Sequence, residues 1–189
     1  MGCQGCWNRS TWSPRGGIDV DVRALSTLIS ADATLDGITI LGGEPLQQAT
    51  ATLALMRAAK SFGLSVMLYT GYEPDELSGD AMSCAEEADL LISGRYVEAL
   101  RSTTLRWRGS SNQRITSPTG MYDCSTFEEL GEAEVHIDEH TGEATVLGYP
   151  DDAMLASIGL SRSTSSNAPS TRHLERLLRD HSLSLDLDA

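Results

Sequence analysis

The sequence predicts an α/β fold built on a mostly parallel sheet. Short apolar, β-branched runs alternate with longer segments whose apolar residues recur at helical spacing, and glycines mark the ends of both. Successive β–α units of this kind place their strands side by side with right-handed crossovers. At 189 residues, the chain is long enough for one domain with a full core plus an appendage.

Strands and helices alternate in the first half of the chain. Asp19 or Asp21 caps the first helix, because a carboxylate there accepts hydrogen bonds from the first turn, and this helix ends near Asp32. The predicted strands are 38–41, 64–69 and 89–92, each short and apolar as in a buried parallel strand. The predicted helices are 22–32, 46–62, 74–77 and 82–88, and Gly63 ends the second.

The pattern changes after the third strand. Residues 95–122 are polar and arginine-rich and indicate an ordered loop region, whereas residues 133–147 alternate apolar and polar residues about a turn, as in a β-hairpin. Residues 161–171 predict a flexible linker, which is followed by one short amphipathic helix and an acidic end. We therefore divide the chain into a domain at 1–150 and an appendage at 151–189.

The composition argues against several classes of protein. A net charge of −13 is unsuited to nucleic acid, because phosphate binding needs clustered Lys and Arg, and the single lysine, Lys60, leaves no P-loop site. No apolar stretch approaches the ~18 residues that span a bilayer, and no basic and then apolar leader precedes the cysteines. Four cysteines in a chain of this length fit metal chemistry in a reducing cytosol better than a disulfide scaffold. We therefore expect a cytoplasmic protein without membrane or nucleic-acid partners.

Cys3 and Cys6 form a C-x2-C pair at the start of the chain. Cysteine thiolates hold iron–sulfur clusters, and Gly5 permits the tight loop with which two neighbouring cysteines bind two irons. The alternative, a zinc site made from all four cysteines, lacks the usual second C-x2-C pair. We expect Cys84 to act as a small apolar residue inside a helix and Cys124 to lie in a loop.

Gly42-Gly43-Glu44-Pro45 follows the first predicted strand. The segment is either an ordinary strand-to-helix connection or a ligand site. Two glycines let the backbone approach a ligand closely, and Glu44 offers a carboxylate to an ammonium group.

In this order, the cysteine pair and the glycine turn resemble the radical S-adenosylmethionine (SAM) superfamily, whose cysteine loop is C-x3-C-x2-C. Four further segments fall in the order expected for the activating enzymes of anaerobic (class III) ribonucleotide reductase and their single-cluster relatives: residues 6–12, 67–72, 89–94 and 108–114. The resemblance runs from residue 1 to about residue 150.

The resemblance implies a partial (β/α)6 barrel with a C-terminal hairpin, and with a 4Fe-4S cluster and SAM at the carboxyl edges of its strands. It implies that Cys3 and Cys6 ligate the cluster and that Gly42, Gly43 and Glu44 hold the methionyl end of SAM. Thr70 and Gly71, at a strand end, are expected to line the nucleoside pocket. No side chain is assigned a catalytic role, and Asn112 and Gln113 mark the subgroup without an assigned contact.

The first cysteine of the family loop would lie four positions before Cys3, ahead of Met1. In parallel sheets, the loops that bind ligands follow the carboxyl ends of strands, yet no strand is predicted ahead of this loop. We therefore expect the natural protein to begin further upstream, with the first barrel strand and a third cysteine there. The competing interpretation is a chain that has lost its activity. Two thiolates predict poor or labile cluster binding by the 189 residues alone.

The activity implied by the resemblance is the activation of a glycyl-radical enzyme. Flavodoxin or ferredoxin supplies one electron, SAM is cleaved to methionine and a 5′-deoxyadenosyl radical, and that radical removes a hydrogen atom from a glycine of the partner. Two alternatives stay open: a radical SAM enzyme that acts on a small molecule or peptide, and a degenerate domain that serves as a binding module. Residues 109–114 weigh against the first alternative.

Overall fold

The computed structural model of the chain describes residues 2–5, 11, 18–102, 104–127, 133–137, 144–148 and 156. Its helices are α1 (Val22–Ala31), α2 (Ala49–Ser61) and α3 (Gly79–Glu87). Its strands are β1 (Gly37–Ile40), β2 (Ser65–Thr70), β3 (Leu90–Ser93), β4 (Arg114–Thr116), β5 (Ala133–Ile137) and β6 (Ala144–Gly148). The predicted linker, tail helix and acidic end lie outside the described residues.

Strands β1 to β4 form one mixed sheet in the order of the sequence. β1 pairs with β2 and β2 with β3 in parallel, whereas β4 pairs with β3 antiparallel. The prediction of an α/β fold with a mostly parallel sheet is thus confirmed. β5 and β6 pair antiparallel in a separate sheet, which confirms the predicted hairpin.

Strand β4 is a correction to the loop region predicted at 95–122. Only Ile115 in its centre is half-buried, and its two neighbours in the strand are exposed. Three residues are too few to show an alternating pattern, so pairing with β3 decides their conformation.

Three of the predicted helices, 22–32, 46–62 and 82–88, are confirmed with shifted ends. Asp21 caps α1 by accepting hydrogen bonds from the Arg23 and Ala24 amides at 2.7 and 3.2 Å. The segment predicted as one helix from residue 46 begins as a 3₁₀ turn (Pro45–Gln48), and α2 starts only at Ala49. A second 3₁₀ turn (Pro74–Glu76) stands where the short helix was predicted.

The helices pack on the sheet around a core that includes Met56, Val66, Leu68 and Cys84. Cys84 is fully buried, and burial is the main cause that raises the pKa of its thiol to about 11. A thiol with this pKa stays protonated at neutral pH, so Cys84 acts as an apolar core residue, as predicted.

A buried polar cluster anchors the amino ends of β2 and β3, opposite the glycine turn. Asp89 is 1% exposed and accepts hydrogen bonds from the Val66 amide at 2.9 Å, Lys60 Nζ at 3.0 Å and Thr119 Oγ1 at 2.8 Å. Burial favours the protonated acid, but these three donors outweigh it and hold the pKa of Asp89 below its ordinary value. The single lysine of the chain is therefore structural.

Among the described residues, no helix combines the length and the apolar character that crossing a membrane requires.

Candidate functional site

A cavity of about 190 Å³ lies where the three parallel strands end. Six of the seven residues predicted for the site line it: Cys3, Gly42, Gly43, Glu44, Thr70 and Gly71. The seventh, Cys6, lies outside the described residues. The cysteine segment and the turns after β1 and β2 therefore meet at one edge of the sheet, because parallel strands carry their carboxyl-terminal loops on the same side.

The two glycines after β1 are required for different reasons. Gly42 has a φ of +140°, in a region that residues with a Cβ rarely adopt, and the space beside it is open. At Gly43, a Cβ would lie 2.5 Å from the carbonyl oxygen of Thr11, which is far inside van der Waals contact. Gly43 therefore lets the backbone of Thr11 pack directly on the turn.

The Glu44 carboxylate is turned into the protein and connects two loops. The residue is 7% exposed; its Oε1 accepts hydrogen bonds from the Leu46 amide at 3.1 Å and Thr70 Oγ1 at 2.8 Å, and its Oε2 accepts one from the Gly71 amide at 2.8 Å. A carboxylate has about four lone-pair sites, so these three bonds leave about one for a ligand. Glu44, which the sequence predicts to bind an ammonium group, thus uses most of its hydrogen-bond acceptors to join the glycine turn to the turn after β2.

Thr70 completes this connection. Its buried hydroxyl donates to Glu44 and accepts a hydrogen bond from the Tyr72 amide at 3.1 Å. The backbone around Gly71 is therefore held from both sides. This leaves the Gly71 turn as a rigid part of the cavity wall.

Cys3 carries a free, half-buried thiol on the cavity. Gly5 has a φ of +77°, and a Cβ there would lie 2.8 Å from the carboxyl carbon of Glu98. The backbone conformation therefore favours glycine in the cysteine loop, whereas the flexible Glu98 side chain could move away from a Cβ.

An ion pair is formed by Arg95, the residue that follows the cavity-lining Gly94. Arg95 donates two hydrogen bonds of 2.8 Å to Glu76 and lies 5.9 Å from the centre of the Tyr72 ring. The Glu76 hydrogen bond is the main cause that raises the pKa of Arg95. The same pair lowers the pKa of Glu76 to about 2. Each charge of the pair is therefore compensated by its partner.

The wall after β3 was not assigned from the sequence. Gly94, with a φ of +101°, lines the cavity together with Tyr96 and Gln113. The Gln113 amide contacts three backbone groups, and Asn112 Nδ2 donates to the Arg95 carbonyl at 2.8 Å. The signal was present in the sequence, because Gly94 ends a predicted strand as Gly42 and Gly71 do.

The thiol donors fit an iron–sulfur cluster better than a zinc ion. Among the described residues, no group of three or more His, Cys, Asp or Glu side chains is arranged to hold a metal ion. Cys84 is in the core and Cys124 in a 3₁₀ turn (Cys124–Thr126), and neither lines the cavity, so the four-cysteine zinc site is not formed. A thiolate beside a glycine-walled cavity suits a cluster that shares its site with a small molecule.

Comparison with known proteins agrees with this chemistry. A family model described as a 4Fe-4S single cluster domain matches residues 1–116. The anaerobic ribonucleoside-triphosphate reductase-activating protein of Salmonella typhimurium is 34% identical over 121 residues, which cover 60% of this chain and 79% of the relative. The protein of the same name from Escherichia coli is 33% identical over the same shares of both chains, and that of Enterobacteria phage T4 is 32% identical over 62% of this chain and 77% of the relative. No solved structure matches the chain. The chain therefore belongs to the 4Fe-4S single cluster domain family, in which it is similar to the activating proteins of anaerobic ribonucleoside-triphosphate reductase.

Proposed function

We propose that this protein is a radical SAM activase, which uses a 4Fe-4S cluster and SAM to install a glycyl radical on a partner such as anaerobic ribonucleotide reductase. The observation that carries the proposal is the meeting of Cys3 and the Gly42–Glu44 turn on one cavity, in a chain of the single-cluster family. The name shared by its relatives supplies the identity of the partner.

In this proposal, Cys3 and Cys6 hold the cluster, and the backbone of Gly42 and Gly43 takes the amino-acid end of SAM. Thr70 and Gly71 take the nucleoside. When bound, the cluster and SAM together supply a one-electron cleavage of the carbon–sulfur bond. The protein itself binds and orients: the open space beside Gly42 admits a ligand, and the Glu44 bonds keep the walls of the cavity rigid.

The electron comes from a small donor protein such as flavodoxin or ferredoxin in the cytoplasm.

We further propose that the sheet is part of a partial (β/α)6 barrel within a domain at 1–150. The order β1-β2-β3, with parallel pairing throughout, supports this arrangement, because barrels add their strands in sequence order. An open barrel edge suits a macromolecular substrate, because a segment of the partner has to reach the cavity.

The test is anaerobic reconstitution of the full-length protein with iron and sulfide. After reduction, SAM cleavage is followed by chromatography of methionine and 5′-deoxyadenosine, and radical transfer is followed by electron paramagnetic resonance of added anaerobic ribonucleotide reductase. Cys3→Ser is expected to abolish cleavage, and Cys84→Ala, a cysteine outside the cavity, serves as the control.

Two results contradict the proposal at different levels. A reduced, cluster-loaded protein that leaves SAM intact refutes radical SAM chemistry and favours a binding module. Cleavage of SAM without a radical on the reductase refutes the partner, and then favours a small-molecule or peptide substrate.

A further inference from the structure

We infer that Gln113 is a positioning residue of the cavity: its side-chain amide fixes the wall formed by Gly94 and Tyr96. The inference rests on the proposed function only for the ligand, an adenosine carrying a 5′ sulfur substituent. The three hydrogen bonds of the Gln113 side chain, called the brace below, are contacts between described residues.

The Gln113 side chain continues the pairing of β3 and β4 beyond their last backbone pair. The last paired residues of β3 and β4 are Ser93 and Arg114, so Gly94 and Gln113 are the next in register. The Gln113 side chain bonds there instead: its Nε2 donates to the Gly94 carbonyl at 3.0 Å. A side chain thus holds the strand end at the point where the chain turns into the cavity wall.

The other end of the same amide holds a second backbone segment. Gln113 Oε1 accepts hydrogen bonds from the Gly109 amide at 2.8 Å and the Ser110 amide at 3.2 Å. Ser110 is fully buried, and its hydroxyl accepts a hydrogen bond from the Val97 amide at 3.1 Å. One amide group therefore joins the segments on both sides of Tyr96.

Tyr96 is the group that this brace positions. Its ring packs on the bare face of Gly109, where a Cβ would lie 3.0 Å from the ring carbon Cδ2. Asn112 holds the preceding carbonyl, that of Arg95, at 2.8 Å. A fixed aromatic ring on a cavity offers a flat surface for a nucleoside base. Gln113 acts on the ligand through this ring.

The test compares two substitutions at one position. Gln113→Ala removes all three hydrogen bonds. Gln113→Glu keeps both acceptor bonds and places an oxygen against the Gly94 carbonyl. The control Thr119→Val removes a hydrogen bond to Asp89 at the opposite end of β3 and leaves the cavity intact.

Two measurements are made on each full-length variant. Site-resolved hydrogen exchange measures the exchange rates of the Gly109 and Ser110 amide protons. Calorimetry measures the affinities for SAM and for 5′-methylthioadenosine. For Gln113→Ala we expect both amides to exchange about tenfold faster and both ligands to bind about tenfold more weakly, which is the effect of roughly one hydrogen bond. For Gln113→Glu we expect protected amides with weakened binding. For Thr119→Val we expect a lower melting temperature with unchanged affinities.

Unchanged exchange at Gly109 and Ser110 in Gln113→Ala refutes the brace. Faster exchange with unchanged affinities assigns Gln113 a purely structural role and refutes the positioning of Tyr96. A parent protein that binds neither nucleoside contradicts the proposed function instead, and the brace is then judged on the exchange pattern alone.

Discussion

Glu44 provides the most direct test of how the cavity is built. The Glu44→Gln variant keeps the shape of the side chain, and its Oε1 still accepts the bonds from Leu46 and Thr70. Its amide nitrogen, however, faces the Gly71 N–H, which then has no acceptor. A hydrogen bond to a charged group is worth about 1.5–3 kcal/mol, and a buried donor left unpaired costs about 1–3 kcal/mol. We therefore expect the free energy of unfolding to fall by about 2–3 kcal/mol.

The stability assay is urea denaturation without ligand. The control is Glu86→Gln, the same change at an exposed position of α3, for which we expect a change within about 0.5 kcal/mol. A second variant, Thr70→Val, keeps the Glu44 charge, removes one of the three hydrogen bonds of Glu44 and also removes the acceptor of the Tyr72 amide. For Thr70→Val we expect a loss of about 1–2 kcal/mol.

Ligand affinity separates the two functions that Glu44 can have. If the carboxylate mainly holds the Gly71 turn, Glu44→Gln weakens SAM and 5′-methylthioadenosine by the same factor, because both share the nucleoside. If it binds the ammonium group, as the sequence predicts, SAM alone is weakened, because the thioadenosine has no amino-acid end. Unchanged stability without ligand, together with a loss of affinity for SAM alone, would contradict a structural role for Glu44.

Three further predictions concern other parts of the fold. Asp89→Asn breaks the buried pair with Lys60 and should cost about 3 kcal/mol, whereas Glu87→Gln, at the exposed pair with Arg57, should cost at most about 1 kcal/mol in the same urea titration. The pKa of Asp89 is lower in the folded than in the unfolded protein, so its contribution to the free energy of unfolding is complete above the unfolded pKa and is lost as the pH falls through the folded pKa. The parent protein should therefore lose stability below about pH 4, and Asp89→Asn should lack this part of the loss. Gly43→Ala should displace the Thr11 segment and weaken SAM binding about tenfold or more in calorimetry, and unchanged binding would show that the close approach is dispensable. Cys84, with a pKa of about 11 and no exposure, should resist iodoacetamide at pH 8 until the protein unfolds, and fast labelling of the folded protein contradicts its burial.

Local sequence determined the elements and predicted six of the residues that line the cavity. The Asp21 cap, the apolar spacing of α2 and the short β-branched strands act within a few residues, so their positions follow from propensity and periodicity. The glycine turn and the cysteine pair were also readable, because their chemistry depends on residue type and spacing. Strand ends then placed Gly42 and Thr70 on one edge of the sheet, since parallel strands share that edge.

Only the tertiary structure decided how these groups are held. Glu44 reaches Thr70 across 26 positions of sequence, and Gln113 reaches Gly94 across 19. Neither hydrogen bond can be predicted from the periodicity of the sequence, because each depends on which loops the sheet brings together. Strand β4 is the same case at the level of backbone: its three residues become a strand because β3 offers an open edge. Residue type thus predicted which residues meet at the cavity, and packing decided how their side chains are held in its walls.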